Sequence, residues 1–375
     1  MITHNDTLSL SSHHRTTVAI GNKCVSESLG DFSIRSKRVF VITQEAILDA
    51  LTYDVMAELK SVCSSDCHLL LVGNGESAKS MTTYTQCLNH IFEIGVERGD
   101  TIIGFGGGVV TDLAGFVAST CLRGLKLIQI PTTLLAQVDA AIGGKTGINH
   151  ATGKNLIGTF FQADLIINDI SLLYSLPFDE AKSGFAEIIK YGIIGDTKLF
   201  DLLLDHAESL QTFNFQDHHE LWLDIITRSI HNKIDVVQKD EKESSLRAIL
   251  NFGHTIGHGI EALFGYKGYK HGICVAYGMC AATYIAQKKG LINDECATAI
   301  YRILTLYDYD KIPLQSFDHN ELLDIIARDK KVKDNTLHFV LPTTIGSVFV
   351  CADVTKTDVI ASLDHIQSFF KGVAS

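Results

Sequence analysis

Short apolar runs alternate with longer amphipathic segments through the first half of the chain, and this alternation predicts its secondary structure. The runs that predict β-strands are residues 39–43, 68–72, 101–105, 125–130 and 165–168. Most of the stretches between them are long enough for a crossover helix. Strands and helices that alternate in this way form a parallel sheet covered on both faces. We therefore expect an N-terminal α/β domain with a Rossmann-like parallel sheet.

The pattern changes after Pro177, where long amphipathic segments replace the short apolar runs. The segments that predict helices are residues 178–194, 220–239, 250–264 and 272–288. A chain of 375 residues also exceeds what one hydrophobic core usually serves. We therefore expect two domains, an α/β domain over residues 1–175 and a mostly α-helical domain over residues 176–375.

Composition and charge restrict the class of protein. A net charge of −11 argues against a general nucleic-acid-binding surface. The longest apolar stretch, residues 272–286, is shorter than a bilayer span, so we expect no membrane partner. The N-terminus lacks the apolar core of a secretory signal, and nine cysteines, an odd number, outline no disulfide framework. These features together predict a cytoplasmic location.

Two glycine-containing loops follow predicted strands and are candidates for nucleotide binding. Residues 104–112 carry a triple-glycine turn into a helix-like run, where glycines permit close approach of a phosphate to a helix N-terminus. The turn does not match the strict dinucleotide fingerprint, and tight turns also use glycine for steric reasons alone. In the second loop, residues 73–79, Glu76 could accept hydrogen bonds from ribose hydroxyls and Lys79 could lie near a phosphate. A solvated turn is an equally good interpretation of that loop.

A histidine cluster in the second half is the strongest candidate for metal or acid/base chemistry. His254 and His258 are four residues apart, which places them on one face of a helix, and His271 follows in the next segment. Spacing alone does not say which of the three binds a metal. Each could also be an ordinary histidine that caps a helix or lies half-buried.

Several separated motifs, in order, give the chain a family resemblance. Residues 130–149 and 153–155 concentrate small, hydroxyl and charged side chains, residues 184–192 read Gly-Phe-Ala-Glu-Ile-Ile-Lys-Tyr-Gly, and the histidine cluster follows. Together they resemble the 3-dehydroquinate synthases, which are sugar phosphate cyclases, over about residues 70 to 345. The resemblance implies conversion of 3-deoxy-D-arabino-heptulosonate 7-phosphate to 3-dehydroquinate and phosphate in the shikimate pathway. It implies transient oxidation by NAD⁺, phosphate elimination, re-reduction, ring opening and an intramolecular aldol reaction.

The resemblance also implies cofactors and residue roles. The cofactors are NAD⁺ and Zn²⁺, or another divalent cation such as Co²⁺, and the implied metal ligands are Glu187, His254 and His271. His258 is then left to bind substrate and transfer protons. The implied cofactor-binding residues are Glu76, Lys79, Gly107, Gly108, Val109, Asp112, Thr132, Thr133, Lys145 and Lys154. The implied substrate-binding residues are Arg123, Asp139, Lys145, Asn155, Lys190, Lys233, Arg247, Asn251, His258 and Lys331. The implied catalytic residues among them are Lys145, Lys190, Lys233, Arg247, Asn251 and His258.

The sequence departs from the family pattern at three positions. Gln44 stands where the family usually has an Asp that contacts the adenosine ribose, which puts one cofactor contact in doubt. Ala163 replaces a proline after Gln162, and Phe252 replaces a leucine. Neither of these last two changes removes a chemical group.

Three alternatives to a heptulosonate phosphate cyclase remain at this point. The first is a cyclase that acts on another sugar phosphate, such as sedoheptulose 7-phosphate. The second is a metal-dependent alcohol dehydrogenase, which would consume NAD⁺ stoichiometrically. The third is a protein that kept the fold and lost the chemistry. Proteins of this kind are commonly homodimers, so we expect a homodimer whose ligand is a small anionic sugar phosphate.

Overall fold

The computed structural model describes residues 1–10, 14–32, 36–51, 54–62, 66–266, 268–329 and 338–371. The chain divides into two compact units. The first contains Met1–Pro177 and Asn214–Lys242, and the second contains Phe178–Phe213 and Glu243–Ser375. The segment Asn214–Lys242 therefore belongs to the first unit, although it lies within the second half of the sequence.

The first unit is built on a seven-stranded sheet in the order β1-β2-β9-β6-β5-β3-β4, with β7 and β8 pairing separately. Its strands are β1 (Ile2–Ser9), β2 (Arg15–Gly21), β3 (Arg38–Gln44), β4 (Asp66–Val72), β5 (Thr101–Gly106), β6 (Lys126–Pro131), β7 (Lys145–His150), β8 (Gly153–Phe160) and β9 (Leu165–Asp169). All five strands that the apolar runs predict are present, which confirms the α/β assignment. The pairs β2–β9, β9–β6, β6–β5, β5–β3 and β3–β4 are parallel, as expected.

One strand departs from the expected parallel sheet. β1 pairs with β2 in antiparallel fashion, with Ser9 opposite Arg15. Consecutive strands separated by so few residues can only fold back on each other, because a parallel crossover needs a dozen or more residues. The sheet is therefore mixed, with its antiparallel strand at one edge.

Helices cover the sheet of the first unit, and its central strands are buried on both faces. The helices are α1 (Val25–Phe32), α2 (Glu45–Ala50), α3 (Val55–Val62), α4 (Met81–Ile94), α5 (Gly108–Thr120) and α9 (His219–Lys239). Every residue of β5 is buried. On one face of the sheet, Val41, Ile103 and Ile128 from adjacent strands pack in a single core with α1 residues such as Leu29. Burial on both sides explains why these strands are continuously apolar in the sequence.

The second unit is mostly helical, which confirms the second part of the predicted fold class. Its helices are α6 (Phe178–Ile194), α7 (Thr197–Asp205), α8 (Ala207–Leu210), α10 (His254–Leu263), α11 (His271–Lys288), α12 (Asp294–Leu306), α13 (His319–Asp329) and α14 (Lys356–Phe369). A two-stranded sheet, β10 (Phe339–Thr344) and β11 (Ser347–Cys351), completes the unit. Within the described residues, no helix has the length and apolar character needed to cross a membrane.

The start of α10 differs from the predicted helix over residues 250–264. Leu246–Asn251 forms a 3₁₀ segment, and the α-helix begins only at His254. Gly253, directly before it, has a φ of 78°, in the left-handed region that glycine adopts without steric cost. This break places His254 in the first turn of α10.

Candidate active site

The triple-glycine turn connects β5 to α5 in the first unit. A Cβ on Gly106 would lie 2.6 Å from a methyl carbon of Val110, so glycine is needed there for close packing. Gly107 precedes α5, which places the backbone amides of Gly108 and Val109 in its first turn. Amides in that turn have no intrahelical acceptor and can bind an anion.

Two threonines after β6 lie next to this turn. The Thr132 amide donates to the Gly106 carbonyl at 3.0 Å, and a Cβ on Gly107 would meet Thr133 Cγ2 at 3.0 Å. The structure thus brings together the predicted cofactor-binding residues of the glycine turn and the Thr132–Thr133 pair.

A buried lysine connects the 73–79 loop to α5. Lys79 Nζ donates to Asp112 Oδ2 at 2.6 Å, and the Lys79 side chain is only 4% exposed. Burial raises the pKa of the Asp112 carboxyl, and the Lys79 charge opposes that effect. Lys79 Nζ also contacts Asn155 Oδ1. Asn155, predicted to bind substrate, therefore touches a residue predicted to bind the cofactor.

Glu76 and Gln44 are each held by a neighbour to which the sequence assigned no role of its own. Asn149 Nδ2 donates to Glu76 Oε1 at 2.8 Å, which fixes the carboxylate predicted to bind ribose. Gln44 Nε2 donates to the Gly73 carbonyl at 2.6 Å. In place of the usual acid, Gln44 thus anchors the first residue of the loop that carries Glu76.

The remaining predicted residues of the first unit include one close ion pair. Lys233 on α9 donates to Asp139 Oδ1 at 2.5 Å, and the Lys233 side chain is 8% exposed. Lys145 is the first residue of β7, Lys154 lies on β8, and Arg123 ends a 3₁₀ segment with a φ of 69°. Lys145 and Arg123 are both exposed.

Glycine packing brings three helices of the second unit together. A Cβ on Gly272 in α11 would lie 1.8 Å from the Ser183 carbonyl oxygen of α6. A Cβ on Gly278, also in α11, would lie 1.7 Å from the carbonyl oxygen of Gly253, at the start of α10. Only glycine allows backbones to approach this closely. The result is that α6, α10 and α11 present their side chains to one small volume.

Glu187 and two histidines face each other in that volume. Glu187 Oε1 lies 3.5 Å from Nε2 of His254 and 3.5 Å from Nε2 of His271. Each imidazole is held through its other nitrogen, since Nδ1 of His254 is 3.0 Å from the Phe252 carbonyl and Nδ1 of His271 is 3.0 Å from Glu261 Oε2. Both Nε2 atoms therefore point towards the same carboxylate oxygen.

Burial and nearby charges act on these two histidines in opposite directions. Burial lowers the pKa of His254 well below its usual value, against the opposing effect of Glu187, so its imidazole is neutral at pH 7. Burial also lowers the pKa of His271, but hydrogen bonds with Glu187 and Glu261 outweigh it and bring the pKa to about 10. The pocket around His271 thus stabilises positive charge strongly. On the same helix face, Lys190 Nζ contacts Glu187 Oε2.

The donor set suits a divalent cation. Nitrogen atoms of His254, His258 and His271 lie within 4.8 Å of one another, and Glu187 Oε1 lies beside two of them. Imidazole nitrogens and a carboxylate are ligands that zinc prefers, and His271 would give up its Nε2 proton when the cation binds. His258 is exposed, whereas the Glu187 side chain is fully buried. The ring centroid of His258 is 5.1 Å from that of His254 and 5.8 Å from that of His271.

Other predicted residues of the second unit lie before α10 or outside the described chain. Arg247 is 1% exposed, in the 3₁₀ segment that precedes α10. Asn251 Nδ2 donates to Glu243 Oε1 at 3.0 Å. Lys331, predicted to bind substrate, lies outside the described residues.

Sequence reasoning missed Glu261, which contacts His271. A signal for it does exist in the sequence, because Glu261 follows His254 by seven residues and His258 by three. Those spacings place all three side chains on one face of α10. Asn149 carries no such signal, because its contact with Glu76 joins residues far apart in the chain.

Comparison with known proteins identifies the family. The family model for the N-terminal part of 3-dehydroquinate synthase matches residues 69–183. The family model for the C-terminal part matches residues 184–332. Similar proteins include the 3-dehydroquinate synthases of Rippkaea orientalis, 45% identical over 78% of this chain and 79% of the relative, and of Prochlorococcus marinus strain NATL1A, 41% identical over 93% of this chain and 95% of the relative.

Solved structures of other enzymes share the fold along nearly the whole chain. A 2-epi-5-epi-valiolone synthase from Streptomyces hygroscopicus subsp. jinggangensis 5008, with NAD⁺ and Zn²⁺ bound, is 26% identical with a TM-score of 0.85, over 95% of this chain and 97% of that one. A 2-deoxy-scyllo-inosose synthase complexed with carbaglucose-6-phosphate, NAD⁺ and Co²⁺ is 25% identical with a TM-score of 0.85, over 97% and 99%. An iron-containing alcohol dehydrogenase, 14% identical with a TM-score of 0.63, over 94% and 97%, shares the fold. The chain belongs to the 3-dehydroquinate synthase family.

Proposed function

We propose that this chain converts 3-deoxy-D-arabino-heptulosonate 7-phosphate to 3-dehydroquinate and phosphate, as a carbon–oxygen lyase of the shikimate pathway. The observation that carries the proposal is the cluster of Glu187, His254 and His271, with Lys190 on the same face of α6, in a chain of this family. The protein acts in the cytoplasm as a homodimer. Its cofactors are NAD⁺ and a divalent cation, Zn²⁺ or Co²⁺.

The first unit contributes the NAD⁺ site. Gly107, Gly108 and Val109 offer backbone amides to the diphosphate at the N-terminus of α5, and Glu76 accepts hydrogen bonds from ribose hydroxyls. Lys79 is held by Asp112 close to this turn. The other residues assigned to the cofactor are Thr132, Thr133, Lys145 and Lys154.

Glu187, His254 and His271 hold the metal ion. His254 and His271 present Nε2 to the cation because their Nδ1 atoms are bound elsewhere, which fixes the ring orientation. When bound, NAD⁺ supplies a hydride acceptor that returns the hydride within one turnover, while the cation polarises the alcohol that is oxidised and the carbonyl attacked in ring closure.

Cationic side chains bind the anionic substrate and offset the acidic net charge of the chain. The residues assigned to this role are Arg123, Lys145, Lys190, Lys233, Arg247 and Lys331. Arg247 offers a planar fork that suits a carboxylate or phosphate, whereas each lysine offers a compact charge. Asp139, Asn155 and Asn251 orient the substrate through hydrogen bonds.

Proton transfer falls to His258. Its imidazole is exposed and stands on α10 one turn after His254, so it can reach substrate while its neighbour binds the metal. An imidazole near neutral pH can both accept and donate a proton. Lys190, beside the Glu187 carboxylate, holds a proton at Nζ next to the metal site.

Phosphate release from two sugar phosphates tests the proposal. The purified protein, supplied with NAD⁺ and Zn²⁺, should release phosphate from 3-deoxy-D-arabino-heptulosonate 7-phosphate and not from sedoheptulose 7-phosphate. The matched variant His258→Ala should bind metal normally and lose most of the release. Turnover of sedoheptulose 7-phosphate alone would reassign the substrate and reject the proposal.

A further inference from the structure

Glu261 is a buried carboxylate in the second unit that has no role in the assignments above. It lies on α10 with only 7% of its side chain exposed, and its Oε2 is 3.0 Å from Nδ1 of His271 at the start of α11. Burying a carboxylate is costly unless it is paired and hydrogen-bonded. The buried position of Glu261 beside His271 therefore indicates that this carboxylate acts on His271.

The contact with Glu261 determines which nitrogen of the His271 ring faces Glu187. A neutral imidazole carries one N–H donor and one acceptor nitrogen. Because a carboxylate only accepts, Glu261 requires a proton on Nδ1, so Nε2, which lies 3.5 Å from Glu187 Oε1, is the nitrogen that gives up its proton and offers a lone pair when a cation binds. His254 reaches the same arrangement through the Phe252 carbonyl at 3.0 Å. The two imidazoles thus differ in the charge of the group behind them, a neutral carbonyl for His254 and a carboxylate for His271.

The negative charge of Glu261 should affect how strongly the site binds a cation. A divalent cation held by Glu187 and two neutral imidazoles keeps one uncompensated positive charge. Glu261 is a second carboxylate, and only the His271 imidazole separates it from that cation. Charges in a buried site interact strongly because little water is present to screen them. An acceptor behind a metal-bound histidine also raises the basicity of that ligand.

We propose that Glu261 is a positioning residue for the metal site: it fixes His271 with Nε2 towards the cation and supplies the second negative charge that retains it. This inference rests on the proposed assignment of Glu187, His254 and His271 as ligands. Glu261 itself does not contact the cation or the substrate.

Metal affinity, measured without substrate, tests the role. Co²⁺ binding to the full chain is followed by its absorption spectrum and by competition with a chelator of known affinity. Glu261→Ala should weaken Co²⁺ binding by about 10- to 100-fold. Glu261→Gln should lose several-fold but less than the alanine variant, because the amide oxygen still accepts from Nδ1. Glu295→Gln removes an exposed carboxylate on α12 and should bind as the parent does.

The outcomes separate this role from the proposed reaction. Unchanged Co²⁺ affinity and an unchanged Co²⁺ spectrum in Glu261→Ala would overturn the inference. If Glu261→Ala does not fold, Glu261→Gln takes its place, and parental Co²⁺ affinity in that variant would overturn the inference. Failure of the parent to bind Co²⁺ or Zn²⁺ would also overturn it. A parent that binds Co²⁺ and releases no phosphate would refute the proposed reaction, and the graded loss in the Glu261 variants would still stand.

Discussion

Replacing Gly272 by alanine tests whether close helix packing builds the metal site. The new Cβ would lie 1.8 Å from the Ser183 carbonyl oxygen, and that obstacle is backbone rather than a flexible side chain. Carbon atoms in contact normally stay about 3.5 to 4.0 Å from neighbouring heavy atoms, so relieving the contact requires α6 and α11 to separate by about 1.7 Å. Because His271 directly precedes Gly272 and Glu187 lies one turn after Ser183, the separation acts directly on these two proposed ligands.

The substitution should lower both the free energy of unfolding and the affinity for metal. Forcing an extra methyl group into a packed interior typically costs about 1 to 3 kcal/mol in the free energy of unfolding. A displacement of about 1 Å can also lower a rate by about 100-fold. A comparable 100-fold loss in metal affinity would be visible in the stability that the metal confers. At a concentration 100 times the parental Kd, that stabilisation would fall from about 2.7 kcal/mol to about 0.4 kcal/mol.

Denaturant unfolding with and without Zn²⁺ measures both effects. Gly99→Ala serves as the matched control, because a Cβ at Gly99 meets nothing within 4 Å. The control should keep the parental stability and the full stabilisation by metal. If Gly272→Ala also kept both, the glycine contact would not position the ligands, and this explanation of the site would be wrong.

Three further predictions follow from other contacts. Glu187→Gln should fail to retain zinc after dialysis, as measured by elemental analysis, and parental zinc content would remove Glu187 from the ligand set. Lys79→Ala leaves the partly buried Asp112 without its cation and should cost about 1 to 3 kcal/mol in unfolding free energy, along with a higher KM for NAD⁺. Burial, aided by Lys288, lowers the folded-state pKa of His365 below 6.5, so the unfolded chain takes up the proton first and stability falls as the pH drops through 6.5. His365→Phe should reduce that fall in urea unfolding between pH 7.5 and 5.5, and an unchanged slope would contradict it.

The sequence predicted the parts of the fold that depend on local pattern. The strands at 101–105 and 165–168 were recognisable because burial on both faces leaves a continuous apolar run, and the helix at 178–194 was recognisable by its length and its many apolar residues, since it is buried from Ala181 to Ile194. The β7–β8 hairpin was not, since β8 is largely exposed and the two strands carry few apolar residues. β1 was also missed, because most of its residues are polar and exposed at the sheet edge.

The candidate site likewise contains residues that the sequence predicted and contacts that it did not. Spacing alone placed His254 and His258 on one helical face, and the family motif added Glu187 and Lys190. Contacts between distant segments, such as Asn149 with Glu76, depend on how loops meet in three dimensions and leave no periodic trace. The close approach of α6, α10 and α11 likewise depends on glycines whose packing role becomes visible only when their neighbours are known.

The most direct test of the proposed function is to measure phosphate and NADH together in one reaction. With 3-deoxy-D-arabino-heptulosonate 7-phosphate, Zn²⁺ and NAD⁺ well below the substrate concentration, phosphate should be released to many times the amount of NAD⁺ present, with no net rise in NADH absorbance. That result is expected because the hydride is returned within each turnover. NADH that accumulates in step with turnover, or phosphate release that stops at the amount of NAD⁺ supplied, would contradict the assignment.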